Sequence, residues 1–279
     1  MATYNHFLVD TPAPFVAHVQ INRPQKLNAF YEEMWLEMKT VFDTLSYSPD
    51  IRAVILSGAG DRAFTSGLDV QAASQNGILQ QTEGKTSDAA RKAAGIKRHV
   101  QEFQDCISSI EKCEKPVICI MHGISIGLAL DISTCADIRL CSRDVKFAVK
   151  EVDIGLAADI GTLSRLPRIV GSFSWVKDVA LSARIFDAEE ALRVGFVSHV
   201  LESKGEAIGK ALEMAGLLAE KSPIAVQGTK ELLNHARDNR LADSLRYTGV
   251  WNSAAIQTSD VERAMLSGLK KTKPKFEKL

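Results

Sequence analysis

Two short runs constrain the fold of this chain more than any other feature. RAVILSG (52–58) and KPVICIMHG (115–123) are apolar through their middles, too short for helices, and each ends on glycine. An apolar run of that length closed by a turn residue reads as a buried strand. The second run feeds a helix over SIGLALDISTCA (125–136). Around them, FVAHVQIN (15–22) alternates as a strand and enters the loop RPQKLNAF, and residues 31–46 carry apolar positions at helical spacing. DRAFTSGLDV (61–70) reads as a turn leading into a helix start, and DIRLCS and KFAVK as two further strands. The polar, small-residue stretch 72–95 reads as a mobile, partly helical excursion before a long helix over 94–113. Strand, strand, helix therefore repeats through the first 200 residues, which is α/β organisation with crossovers rather than a meander.

The character changes near residue 201. Four helical segments follow: KGEAIGKALEMAGLLAEKS, PIAVQGTKELLNHARD, RLADSLRYTGVWNSAAIQ and SDVERAMLSGLKK. Ser222 and Pro223 mark the first boundary, and Ser259 with Asp260 is expected to cap the last helix. This divides the chain into a core over 1–200, holding the site, and a helical region over 201–279. Apolar helix faces without strands must cover their own core or pack on a neighbouring subunit.

Composition removes several classes. Of 279 residues, 46% are hydrophobic, enough to bury a large core, and the formal net charge is zero. No charge excess points to nucleic acid or an acidic membrane surface. No apolar run approaches the about 20 residues that cross a bilayer. The N-terminal MATYNHFLVDTPAPF has neither a basic region nor an Arg-rich amphipathic pattern, so no cleaved leader is expected. The five cysteines, Cys106, Cys113, Cys119, Cys135 and Cys141, form no CxxC pair and read as reduced thiols. The six histidines show no metal-ligand spacing, and no nicotinamide or flavin motif is present, so neither metal nor cofactor is expected.

Three carboxylates stand out against this background. Asp131 follows the strand and glycine turn of KPVICIMHGISIGLAL, while Glu151 and Asp159 bracket EVDIGLAAD, apolar apart from Asp153. Acids among apolar residues are seldom there unless paired, hydrogen-bonded or used in chemistry, and burial prepares a carboxyl for proton transfer near neutrality. The plainer alternative is a cap, a salt-bridge partner and a surface acid. The neighbouring glycine turns tip the balance. HGISIGLALD (122–131) joins a buried strand to a helix N-terminus, and FTSGLDV (64–70) offers a second free N–H in a similar setting. Two such N–H groups converging on one carbonyl oxygen form an oxyanion hole.

RPQKLNAF, AFTSGLD, HGISIGLALD, VKEVDIGLAADIGTLSRLPRIVG and ARIFDAEEALRVGFVSHV together resemble the crotonase (enoyl-CoA hydratase/isomerase) superfamily, in the family's order and across essentially the whole chain. Within it, KEVDIGLAADIGTL looks like the Δ3,5-Δ2,4-dienoyl-CoA isomerases. Hydratases usually carry Glu at the position of Asp131 and Gly at that of Asp159. The resemblance implies a ClpP/crotonase-like spiral of ββα units, with C-terminal helices that assemble a trimer or a dimer of trimers. It implies proton transfer on an acyl-CoA thioester in fatty-acid β-oxidation, with Glu151 acting at C2, Asp159 at C6 and Asp131 in support. The oxyanion donors carry over to the backbone N–H groups of Leu68 and Leu128. Where the family usually has three glycines, this chain has Gly127-Leu128-Ala129, and the bulk of Leu128 is expected to narrow or reshape the acyl pocket, which bears on acyl-chain preference more than on the reaction. Lys26 and Arg62 are candidates for the CoA phosphates, against a plain reading as solvated cations. Lys273 and Phe276 of the basic tail KKTKPKFEKL are further CoA candidates.

The final Glu277-Lys278-Leu279 approximates a peroxisomal Ser-Lys-Leu ending, so a peroxisomal location is expected, with mitochondrion or cytoplasm as alternatives. The rival activities are enoyl-CoA hydratase and Δ3-Δ2-enoyl-CoA isomerase. A rival of another class is a non-catalytic acyl-CoA- or RNA-binding homologue, which would lack the acids or carry a strongly basic helix. A serine-hydrolase triad of Ser125, His122 and Asp131 or Asp159 lacks the G-x-S-x-G elbow. Asp69, Asp137 and Asp153 read as local structural acids, and Trp35, Trp175 and Trp251 as core or interface residues.

Overall fold

The two apolar runs become β3 (Ala53–Gly58) and β5 (Val117–Met121), which lie parallel and buried along their whole length. In the computed structural model residues 3–72 and 88–279 are described. β3 and β5 are central strands of a six-stranded sheet whose order is β1-β2-β3-β5-β7-β10. Its other members are β1 (Phe7–Ala13), β2 (Val16–Ile21), β7 (Ile138–Ser142) and β10 (His199–Leu201). Only the β1–β2 hairpin is antiparallel in this sheet. A second sheet, β4-β6-β8-β9, is built from β4 (Ala63–Thr65), β6 (Ile124–Ile126), β8 (Lys146–Ala148) and β9 (Phe186–Asp187). Consecutive strands enter the two sheets alternately: β3 then β4, β5 then β6, β7 then β8. Each turn of the chain thus adds one strand to each layer, which is the ββα spiral expected above.

Helices α1 (Glu32–Tyr47), α2 (Ala89–Lys112) and α3 (Leu128–Cys135) cover the large core on one face of the first sheet. Trp35 of α1 stacks on Phe103 of α2 at 4.0 Å between ring centroids, which joins the two helices. The long helix begins earlier than its periodicity suggested because Asp88 caps it, accepting from the Arg91 N–H. The excursion read over 72–95 otherwise falls largely on residues 73–87, outside the described residues. The segment read as one helix over 125–136 is a strand and then a helix: Gly127, at φ 56°, breaks the run between β6 and α3. All five cysteines are buried and unpaired.

Helices α4 (Thr162–Ile169), α5 (Phe173–Ser182) and α6 (Ala188–Arg193) close the spiral before β10. Helix α7 (Lys204–Ala219) packs an alanine stripe, Ala207, Ala211, Ala215 and Ala219, on Val16, Ile55, Ile118 and Leu140 across the sheet's other face. Small side chains let the helix lie close to the strands, so α7 belongs with the core although it follows residue 201. The remaining tail is α8 (Pro223–Asp238), α9 (Leu241–Ala255) and α10 (Ser259–Leu269). Ser222 caps α8 as expected, whereas Thr258, not Ser259, caps α10; Asp260 instead accepts from the Ser222 hydroxyl and ties the two helix starts together. These helices leave Leu233, Leu241, Leu245, Val250, Met265 and Leu269 exposed. Among the described residues no helix is long and apolar enough to cross a membrane.

Candidate active site

The site lies where the C-terminal ends of β3 and β5 hand over to the second sheet. The turn after β4 is held from below by Asn28, fully buried, whose side-chain amide donates to the carbonyls of Ala59 and Ala63. Thr65 donates its hydroxyl to the Asn28 carbonyl and receives the Gly67 N–H. Phe30 N–H donates to the Gly67 carbonyl and Asp69 N–H to the Phe30 carbonyl, which clamps Leu68 between them. Gly67 has φ 92°, and a Cβ there would stand 3.1 Å from the Ile126 carbonyl oxygen and 3.6 Å from the Leu128 nitrogen. The two glycine turns are therefore pressed together, as close as two backbones allow. The Leu68 and Leu128 N–H groups have no acceptor among the described residues, and Leu128 opens α3 with the positive end of the helix behind it. This is the geometry of paired oxyanion donors. The Leu128 side chain is 3% exposed and belongs to the hydrophobic core.

The three carboxylates are not equally buried. Asp131, on α3, is buried, and its Oδ1 accepts both the N–H and the hydroxyl of Thr162, at 2.7 and 2.8 Å. Burial still pushes its pKa up to about 6, against the pull of Thr162 and Arg165. Glu151, on a short 3-10 turn, is half-buried, and its Oε2 is buried without a hydrogen-bond partner among the described residues. Its Oε1 lies 3.6 Å from the place a Cβ on Gly127 would occupy, which sets the carboxyl beside the oxyanion turn. Desolvation, and then repulsion from Asp131 and Asp159, push Glu151 up to about 7. Asp159 is exposed, and its main-chain carbonyl accepts from Gln104 of α2 at 2.5 Å. The apolar residues between the two acids, Val152, Ile154 and Leu156, are exposed as well. The reading of the three acids as one buried cluster is thus corrected for Asp159: residues 152–157 are all exposed, and of the residues between the two acids only Ala158 is buried.

Of the CoA candidates, Lys26 and Arg62 lie on adjoining loops, since a Cβ on Gly60 would meet Pro24 at 2.9 Å; both are exposed and unpaired among the described residues. Lys273 and Phe276 lie elsewhere. Lys273 pairs with Glu220, and the Phe276 carbonyl accepts from Arg52 at the start of β3. Arg52 also donates to the Ala219 carbonyl at the far end of α7, whereas Lys204 at the near end reaches the Gly60 carbonyl. The 16 residues of α7 put about 24 Å between these ends, so within one chain Lys273 and Phe276 do not join the site. No triad forms: the Ser125 hydroxyl donates to the main-chain carbonyl of His122, and the His122 ring bonds the Gly60 carbonyl. Asp69, Asp137 and Asp153 are engaged locally, by Arg23, the Val117 N–H and Lys150 respectively. Glu32, His99 and Glu102 bring ligand-type atoms within 4.8 Å of one another on α1 and α2, with both glutamates open to solvent.

Thr162, Gln104 and Asn28 went unremarked in the sequence. Thr162 had a visible signal, a hydroxyl residue at a helix start just beyond Asp159. Gln104 had none, because its partner is a main-chain atom distant in sequence.

A sequence model of the enoyl-CoA hydratase/isomerase family matches residues 13–278. A Homo sapiens protein named Delta(3,5)-Delta(2,4)-dienoyl-CoA isomerase, mitochondrial, is 42% identical over 263 residues, covering 94% of this chain and 79% of its own. The Arabidopsis thaliana protein of that activity named as peroxisomal is 39% identical over 264 residues, covering 95% and 93%. The crystal structure of an enoyl-CoA hydratase from Bacillus anthracis superposes with a TM-score of 0.86 over 98% of this chain and 99% of the other at 23% identity, a likeness of fold. The alternating strands of the two sheets and the twin glycine turns are accounted for together by one conclusion: this chain belongs to the enoyl-CoA hydratase/isomerase family.

Proposed function

We propose that the chain isomerises 3,5-dienoyl-CoA to 2,4-dienoyl-CoA in fatty-acid β-oxidation. The observation that carries the chemistry is Glu151, a carboxyl with one buried, unpartnered oxygen beside two free N–H groups. The N–H groups of Leu68 and Leu128 hold the thioester oxygen and acidify C2. Glu151 takes the C2 proton, the electron pair moves through the diene, and Asp159 returns a proton at C6. The double bonds end at C2 and C4, conjugated with the thioester. A base of pKa near 7 suits this step, since transfer is most effective when the base is matched to the working pH. The reaction needs only carboxyl groups and main-chain donors, so no cofactor enters it. Identity of 39–42% with relatives named for this isomerisation supports the assignment.

Lys26 and Arg62, as exposed unpaired cations on adjoining loops, are the proposed contacts for the CoA phosphates. The exposed apolar faces of α8 to α10 support assembly through the tail into a trimer or a dimer of trimers, which light scattering of the purified protein would measure. A peroxisomal location is the reading favoured here, in keeping with the Arabidopsis relative's name. The decisive assay sets 3,5-octadienoyl-CoA beside crotonyl-CoA. Conjugated-diene absorbance should rise with the first and hydration of the second should be poor. Hydration faster than isomerisation would remove the assignment, and full isomerisation by Asp159→Asn would remove Asp159 as the C6 donor.

A further inference from the structure

Asp131 lies near enough to Glu151 to repel its charge, and the two carboxyls are held differently: Oδ1 of Asp131 receives two donors from Thr162, whereas Oε2 of Glu151 is buried and receives none among the described residues. Thr162 is fully buried, opens α4, and places both its N–H and its hydroxyl on Oδ1 of Asp131. The other hydroxyl near Asp131, that of Thr134, donates to the Asp131 main-chain carbonyl and leaves the carboxyl alone. We propose that Thr162 is the positioning residue of the acid–base pair: its two donors fix a negative charge on Asp131 and so leave the pair's exchangeable proton to Glu151. The inference rests on the isomerase reading for its consequence, because an anion held beside Glu151 is what makes that residue a strong enough base for C2.

The surrounding charges agree with this division. Arg165, one turn along α4, favours the Asp131 anion from a distance, its guanidinium being engaged by Glu111 and Ser108 of α2. Glu111 is shared with Arg237 of α8. Asp159, when ionised, opposes the ionisation of both acids, and when it carries the proton destined for C6 it repels neither, so in both states it does not choose between them. Cys135, on α3, is a buried thiol pushed up to about 12 and contributes no charge at neutral pH. Thr162 supplies two donors to Asp131, while Glu151 keeps a buried oxygen with none. The two acids titrate as a pair, so the hydroxyl of Thr162 acts on Glu151 only through Asp131.

Thr162→Val keeps the side-chain volume and the N–H but removes the hydroxyl. Asp131 then holds its charge less well, the proton moves toward it, and Glu151 is relieved of its neighbour's repulsion. The acidic limb of the kcat/KM profile on 3,5-octadienoyl-CoA should move down by about one pH unit, with a lower plateau from the weaker base. Thr162→Ser should keep the limb where the wild type has it. If the valine variant fails to fold, Thr162→Ala removes the same donor. A limb unmoved in the variant, with the rate lowered equally at every pH, is the signature of a merely structural threonine and overturns the inference. Titration of the carboxyl carbons by 13C NMR in the free protein tests the same shift without turnover. A wild type that does not isomerise would count against the isomerase reading alone; the NMR shift of Glu151 would still decide the role of Thr162, and an unshifted Glu151 would overturn it.

Discussion

Glu151 and Asp159 stand at the two ends of one surface segment and are assigned opposite halves of one proton transfer, yet the protein surrounds them differently. Glu151 is pressed against the oxyanion turn, half out of water, with the Asp131 anion beside it. Asp159 lies in the open and is tethered by its backbone rather than its side chain. The difference suits a cycle that must reset. Each turnover leaves Glu151 with a proton gained and Asp159 with one lost. A base needs the dry, repulsive surroundings that raise its affinity for a proton, while the donor needs access to a proton source once product has left.

The largest effects fall on that pair. Glu151→Gln and Asp159→Asn should each lower kcat/KM for diene conjugation by about 10²–10⁴-fold, the usual worth of a general acid or base. Equal losses sharpen the comparison; a large loss at Glu151 with a small one at Asp159 would break it and leave water as the C6 donor. Next comes the turn that both acids serve. Gly67→Ala forces a Cβ into a position 3.1 Å from the Ile126 carbonyl at φ 92°, so the Leu68 N–H must shift. A loss in kcat of about 10²-fold is expected, as for removal of one oxyanion donor.

Stability separates the two acids more cleanly than activity does. Glu151 is raised from 4.5 to about 7 in the folded protein, so folding favours its protonated form. The penalty for ionising it is absent below pH 4.5, grows as the pH rises, and is complete above about 7. Glu151→Gln should therefore raise the unfolding free energy at pH 8 by on the order of 1–2 kcal/mol, after allowance for partial exposure and for coupling to Asp131, and leave it unchanged at pH 4. Asp159→Asn, at an exposed position, should stay within about 0.5 kcal/mol at both pH values. Urea unfolding at fixed protein concentration measures all four quantities. A stabilising Asp159→Asn would mean that an assembly partner buries Asp159.

How much of this was legible in the sequence follows the same divide. The buried strands were plain because β3 and β5 are apolar on both faces and closed by glycines. The oxyanion turns were legible because glycine at Gly67 and Gly127 serves a backbone need that the sequence itself records. The burial of the acids was not. Val152, Ile154 and Leu156 look like core in one dimension but lie on the surface, because a 3-10 turn and Gly155 carry the segment outward. Apolar composition reports what must be covered, not whether the same chain covers it. Lys273 and Phe276 failed for a related reason: a motif fixes residue types, whereas the pull of Arg52 on two tail carbonyls fixes where the tail lies. Thr162 and Gln104 act on atoms far away in sequence, and spacing alone does not reveal them.

Gln104 carries the smallest and most discriminating expectation. Its side-chain amide donates to the Asp159 main-chain carbonyl, linking α2 to the loop that presents the second acid. Glu151 has no such dependence, since it is set by the 3-10 turn and by its approach to Gly127. Gln104→Ala should therefore loosen only the Asp159 end of the site. Proton return at C6 should slow, with kcat reduced by up to about tenfold, because small misplacements of a reacting group are costly. Proton removal at C2 should persist, seen as exchange of the C2 hydrogen for deuterium from solvent at close to the wild-type rate. Exchange that falls in step with conjugation would show that the two ends of the segment move as one, and that the contrast between Glu151 and Asp159 is one of solvation only.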